Sequence, residues 1–198
     1  MKGRYNRKDH FYERAKSEGY RSRAAYKLKE LDAKFNLLTP NAKILDLGCW
    51  PGGWLQVAAE KVKPPGCIVG IDLKASDPID KPGVVLLQGD VRDAAIQAMA
   101  RMHAPEGFDL VLSDMSPHLT GIKEVDSAAV EGVVELALSV AQTMLRPQGK
   151  FVCKVFKSGN IEQIIKSLRS CFSKVIREEL DATRSTSNEF YVVAIGKR

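Results

Sequence analysis

Ile44-Leu45-Asp46-Leu47-Gly48-Cys49-Trp50-Pro51-Gly52-Gly53-Trp54 decides how the rest of the chain is read. It opens as an apolar run broken only by Asp46, as expected of a strand buried on both faces, and Gly48 ends it. Pro51-Gly52-Gly53 then makes a tight turn whose missing side chains let a ligand lie against the backbone. From Trp54 to Glu60 the apolar spacing becomes helical. Strand, glycine turn and helix in succession present backbone N–H groups to a nucleotide in Rossmann-like sheets. The dinucleotide fingerprint G-x-G-x-x-G is not met, because Cys49-Trp50 follows Gly48 and the other two glycines are adjacent. NAD is therefore disfavoured against another adenosine-bearing cofactor.

Downstream, Cys67 to Leu73 reads as a second strand holding Asp72, 26 residues after Asp46. Nucleotide-binding folds place a carboxylate for two ribose hydroxyls at about that distance. Val84 to Gln88 is a third strand ending in Gly89-Asp90, and Phe108 to Ser113 a fourth ending in Asp114-Met115-Ser116-Pro117. One strand-end Asp is commonly a cap or turn former; three beside a glycine turn favour a site. Ala128 to Leu145 reads as a long helix stopped by Arg146-Pro147-Gln148-Gly149. The fifth strand, Lys150 to Phe156, carries Lys154 within an apolar run, where an ammonium group is costly. An amphipathic helix (Ile161 to Cys171) and a short strand (Lys174 to Glu178) follow. The loop Asp181 to Asn188, with Arg184, leads to a last strand, Glu189 to Ile195.

Upstream, Ser22 is a plausible N-cap for a helix reaching about Asn36, with Ala24, Leu28, Leu31 and Phe35 as its buried stripe. Lys27 falls about 60° from Ala24 on the helical wheel, at the border of that stripe. It can snorkel to solvent or reach into a cleft, and the pattern leaves both open.

The length of 198 residues, 44% hydrophobic and 27% charged, suits a single globular domain over 1–198. No apolar run approaches the ~20 residues of a membrane span and the N-terminus is basic, so the expected compartment is the cytoplasm. Cys49, Cys67, Cys153 and Cys171 form no C-x-x-C pair, and His10, His103 and His118 are dispersed. Reduced thiols and no metal are expected. The net charge of +6 sits in residues 1–34, with eleven basic against five acidic residues; the remainder is formally neutral. Aromatics (Tyr5, Phe11, Tyr12, Tyr20) interleave with those cations, so residues 1–36 read as an RNA-binding extension or helix. The candidate phosphate contacts are Arg4, Arg7, Lys8, Arg21, Arg23 and Arg184. The same residues also suit a helix packed on the domain.

These residues together resemble the FtsJ-like family of S-adenosylmethionine-dependent RNA ribose 2′-O-methyltransferases, most of all its bacterial branch acting on large-subunit ribosomal RNA. The resemblance runs from about Gly19 to Gly196. It rests on Arg21 through Leu28, Asp46-Leu47-Gly48 with Pro51-Gly52-Gly53-Trp54, Leu87-Gln88-Gly89-Asp90, Ser113-Asp114-Met115, Val152 through Phe156, and Arg184 through Tyr191. Cys49-Trp50 departs from the small residues expected in the loop. The resemblance implies a Rossmann-like α/β fold, with helices on both faces of a seven-stranded, mostly parallel sheet whose last strand is antiparallel. It also implies a catalytic Lys-Asp-Lys-Glu set at Lys27, Asp114, Lys154 and Glu189. Cofactor contacts would fall at Gly52, Trp54, Asp72, Asp90 and Asp114. The implied substrate is a ribose, expected to be a uridine's, in 23S ribosomal RNA within the assembled 50S subunit; a monomer is the default expectation.

The chemistry can be argued without the name. Methyl transfer to a hydroxyl is an in-line displacement, so orientation comes first, and the hydroxyl must lose or share its proton. An ordinary lysine is almost wholly protonated near neutral pH. Burial and a second cation, Lys27, push Lys154 toward neutrality; Asp114 and Glu189 push the other way. Lys154 is thus expected to be the base or the stabiliser of the developing oxyanion. Asp114 would orient it, and Lys27 and Glu189 would position the ribose. An amino-methyltransferase is disfavoured, because Asp114-Met115-Ser116-Pro117 lacks the [Asn/Asp]-Pro-Pro-aromatic turn of that class. The remaining alternatives are a transfer-RNA anticodon-loop methyltransferase and a non-catalytic RNA-binding assembly factor with the same fold.

Overall fold

A computed structural model describes residues 10–117, 120–157, 161–184 and 187–198, apart from the side chains at 123 and 124. The elements are α1 (His10–Ser17), α2 (Ala25–Phe35), β1 (Lys43–Leu47), α3 (Gly53–Lys61), β2 (Cys67–Asp72), β3 (Val84–Gln88) and α4 (Ala94–Met102). They continue with β4 (Phe108–Ser113), α5 (Lys123–Met144), β5 (Leu145–Phe156), α6 (Ile161–Cys171), β6 (Phe172–Glu178) and β7 (Glu189–Lys197). The seven strands lie in the order β3-β2-β1-β4-β5-β7-β6. β3 through β5 are parallel, and β7 inserts antiparallel between β5 and β6.

Alternation along each strand divides the core between the two faces. Leu45 and Leu47 of β1 pack with Val111, Phe151, Ala137 and Leu168 on the face covered by α4, α5 and α6. Ile44 turns the other way, with Leu112, Val152, Leu28 and Leu55, under α2 and α3. Ala15 of α1 packs on Tyr26 and Ala182, which docks the described part of the basic extension against the domain.

Several boundaries differ from the sequence reading. α2 starts at Ala25, because the preceding turn is tight: Ala25 N–H reaches the Ser22 carbonyl at 3.2 Å and Tyr26 N–H the Arg23 carbonyl at 3.2 Å. Ala24 holds the cap position without a side-chain bond, so Ser22 is not the N-cap. α5 begins at Lys123, before the expected Ala128, and β5 is already paired at Leu145. β6 starts two residues early and β7 runs on to Lys197. α4 was not expected; Asp93 caps it, its side chain accepting the Ala95 N–H at 2.8 Å.

Candidate active site

Strand order reverses between β1 and β4, the place where open α/β sheets take ligands, and the glycine turn sits there. Gly48 and Gly52 have φ of 74° and 108°, in the left-handed region. A Cβ on Gly48 would stand 2.6 Å from Met115 Cγ, so glycine supplies room as well as conformation. Arg21 braces the turn from outside. Its Nη1 donates to the carbonyls of Asp77 (2.6 Å) and Pro51 (3.4 Å), and its Nη2 to that of Pro78 (2.8 Å).

The acids at the strand ends are held differently. Asp72 accepts the Trp50 and Lys74 backbone N–H groups at 2.9 and 2.8 Å, which fixes its carboxylate against the turn. Asp90 is gripped by Arg92, whose Nε lies 3.0 Å from both carboxylate oxygens, and this holds its pKa down to about 2. Trp54 lies buried under the turn; its Nε1 donates to the Ala24 carbonyl at 2.8 Å and its ring lies 5.9 Å from that of Tyr191.

On the other side of the turn, Lys154 Nζ donates to the Asp114 carbonyl at 2.7 Å and lies 3.2 Å from its Oδ1. Lys27 pairs with Glu189, bridging α2 and β7. Side-chain exposures of 8% for Lys154, 8% for Glu189 and 13% for Lys27 put these charges largely out of water. Tyr191 joins the two pairs. Its hydroxyl donates to Asp114 Oδ1 at 2.6 Å, and Lys27 Nζ lies 5.6 Å from its ring centroid. Burial, then Asp114 and Glu189, push its phenol well above the ordinary range, so it remains a donor.

A family model described as FtsJ-like methyltransferase matches residues 20–197. The chain belongs to this family. A Syntrophobacter fumaroxidans protein named ribosomal RNA large subunit methyltransferase E is 40% identical over 195 residues, 98% of each chain. An Acidithiobacillus ferrooxidans protein of the same name is 42% identical over 95% of this chain and 85% of its own. A solved Plasmodium falciparum structure, provisionally described as a ribosomal RNA methyltransferase, superposes with a TM-score of 0.77. It is 30% identical and covers 90% of this chain and 98% of that one.

In this FtsJ-like chain, Lys27, Asp114, Lys154 and Glu189 come together from α2, the end of β4, β5 and β7. Gly52, Asp72 and Asp90 lie toward the β2 and β3 side of the turn, with Asp114 on the other flank. Arg23 Nη2 donates to the Ala182 carbonyl at 2.5 Å, so Arg21 and Arg23 both brace loops. Arg184 is half-buried in the loop before β7. Arg4, Arg7 and Lys8 lie outside the described residues. Sequence reasoning missed Tyr191, whose signal is its place two residues after Glu189, on the same strand face. It also left Asp46 without a role, although a lone acid in a buried strand is itself unusual. A groove of about 350 Å³ between α5 and α6 is larger than the two recesses of about 20 and 100 Å³ beside the turn but touches none of these residues.

Proposed function

We propose that the protein transfers a methyl group from S-adenosylmethionine to a ribose 2′-hydroxyl of large-subunit ribosomal RNA. The observation that carries this reading is the pair of ion pairs, Lys154–Asp114 and Lys27–Glu189, joined by Tyr191 beside a glycine turn at the sheet's switch point.

The turn fits the cofactor on two counts. Asp72 offers carboxylate acceptors beside it, and a recess of about 100 Å³ lies between Cys49, Lys74 and Leu86. When bound, S-adenosylmethionine supplies an electrophilic methyl on a cationic sulfur. Gly52, Trp54, Asp72, Asp90 and Asp114 are the residues that would hold it; Asp90 would do so while sharing its carboxylate with Arg92.

Two acceptors on Asp114 fix the Lys154 amino group, leaving its remaining position for the ribose oxygen. Lys154 then receives the hydroxyl proton or stabilises the oxyanion as it forms, work typically worth about 10²–10⁴ in rate. Lys27 and Glu189, neutralising one another, orient the ribose without adding net charge.

The substrate is taken to be a uridine of 23S ribosomal RNA in the assembled 50S subunit, met by a monomer in the cytoplasm. No helix among the described residues is long and apolar enough to cross a membrane. Residues 1–36 and Arg184 make the RNA-facing edge of a single domain spanning 1–198. The names of the 40% identical relatives and the basic N-terminal charge support this. The test is incubation with methyl-labelled S-adenosylmethionine and undermethylated large subunits, with transfer RNA in parallel. Label in large-subunit RNA is the expected result; label only in transfer RNA moves the substrate within the family.

A further inference from the structure

Glu30 lies midway along α2, three residues after Lys27 and four before Lys34, so all three side chains share one helical face. Its carboxylate, 18% exposed, accepts two successive backbone N–H groups from the segment between β6 and β7. Asp181 N–H reaches Oε1 and Ala182 N–H reaches Oε2, each at 3.1 Å. Arg23 takes the carbonyl of the same Ala182. Ala182 is therefore held by its N–H and its C=O at once, with its methyl buried against Ala15 of α1 and Tyr26. The chain turns at this point, Thr183 N–H meeting the Leu180 carbonyl at 2.9 Å, and Arg184 follows. The Arg184 carbonyl accepts the Ser187 N–H at 2.9 Å, and Glu189 then pairs with Lys27. α2 thus grips this segment at both ends, and Arg184 lies between the grips.

We propose that Glu30 is a positioning residue for RNA binding: by holding Asp181 and Ala182 it fixes the loop that presents Arg184 to an RNA phosphate. This rests on, and deepens, the reading of Arg184 as part of the RNA-facing edge. The residue type suits the task, because an ionised carboxylate offers acceptors on both oxygens and no donor. An acid beside an RNA-facing edge would also repel phosphate unless a cation neutralised it. Lys34 does so, its Nζ lying 2.9 Å from Glu30 Oε1 and 2.7 Å from Glu178 Oε1. Burial raises the Glu30 pKa, but the bonds from Lys34, Ala182 and Asp181 bring it below its ordinary value. Both oxygens therefore stay acceptors near neutral pH.

Two consequences separate this from a purely structural role. Loosening the loop weakens the encounter with RNA and leaves the chemistry, because Lys27 keeps its own contact with Glu189 and Arg21 keeps the glycine turn braced. The loss also runs through Arg184, so it vanishes once the Arg184 guanidinium is gone.

The experiment is steady-state methylation of undermethylated large ribosomal subunits by wild type, Glu30→Ala, Glu30→Gln, Arg184→Ala and the double variant of Glu30→Ala with Arg184→Ala. Calorimetric affinity for S-adenosylhomocysteine is the control. Glu30→Ala is expected to raise the KM for subunits about tenfold with kcat within about twofold, the pattern of lost uniform binding. The slope of its RNA affinity against salt should fall by about one contact. Glu30→Gln, which keeps one acceptor oxygen, should lie between wild type and Glu30→Ala. Arg184→Ala should match Glu30→Ala, and the double variant should exceed Arg184→Ala by less than about twofold. Full additivity in the double variant overturns the proposal. So does a Glu30→Ala protein whose KM is unmoved, or whose kcat and S-adenosylhomocysteine affinity worsen along with it. An Arg184→Ala protein with unaltered KM overturns the RNA-facing reading of Arg184, and wild type that methylates no subunit RNA overturns the methyl-transfer reading itself.

Discussion

The Tyr191 hydroxyl and the Lys154 amino group converge on one oxygen, Asp114 Oδ1, at 2.6 and 3.2 Å. They do so because β7 lies antiparallel beside β5 with Tyr191 directly opposite Lys154. Reversing the last strand thus places a phenol where it orients the carboxylate that orients the lysine.

Tyr191→Phe tests that relationship with little change of volume. One neutral-to-charged hydrogen bond is lost, about 1.5–3 kcal/mol at most. We expect kcat to fall about tenfold while the Kd for S-adenosylhomocysteine changes less, measured by single-turnover methylation and calorimetry. A kcat loss as large as that of Lys154→Ala would contradict a positioning role.

Lys27→Ala leaves the Glu189 carboxylate largely buried without its cation. Breaking a fully buried pair costs about 3–5 kcal/mol; the residual exposure here brings the expectation to about 2–3 kcal/mol. Chemical denaturation of Lys27→Ala and of Lys27→Met with Glu189→Gln measures it. The double variant should recover most of the stability and little of the activity. Equal stability of the single and double variants would show that the pair does not hold the fold.

Arg21→Ala separates bracing from RNA contact. Its guanidinium binds three backbone carbonyls around the turn, so its removal should weaken S-adenosylhomocysteine binding about tenfold, the effect of losing hydrogen bonds worth about 1.4 kcal/mol. The slope of RNA affinity against salt should change by less than about one contact. A full one-contact change in slope with unaltered ligand binding would return Arg21 to the RNA surface.

Legibility followed the range of the interaction. The strand, turn and helix from Lys43 to Lys61 are local patterns, and they stand as read. Lys27 sat at the border of a helical stripe, and only its partner 162 residues away decides that it turns inward. Arg21 looked like a phosphate reader because its chemistry fits both roles; the carbonyls of Asp77 and Pro78 are invisible in the local sequence. Ser22 had the composition of a cap, but the tight turn after it moved the helix start to Ala25. Asp46 is legible as an oddity, yet that no described residue donates to it is a fact of packing.

Asp90 gives a pH prediction. Arg92 lowers its pKa to about 2, below the ordinary value of about 3.9. Its contribution to stability is therefore complete above about pH 4 and fades as pH falls toward 2. A carboxyl-carbon NMR titration should find Asp90 ionised at pH values where other aspartates are half protonated. Arg92→Ala should move its midpoint up toward the ordinary value; an unmoved midpoint would remove Arg92 as the cause.

The central claim is that Lys154, held by Asp114, moves or stabilises the proton of a ribose hydroxyl. The most direct measurement is mass spectrometry of nucleosides from undermethylated large-subunit RNA after incubation with S-adenosylmethionine and either wild type or Lys154→Ala. We predict a 2′-O-methylated nucleoside with wild type and a loss of at least about 10²-fold with the variant, its S-adenosylhomocysteine affinity being kept. A base-methylated product, or an undiminished yield from Lys154→Ala, would contradict the account.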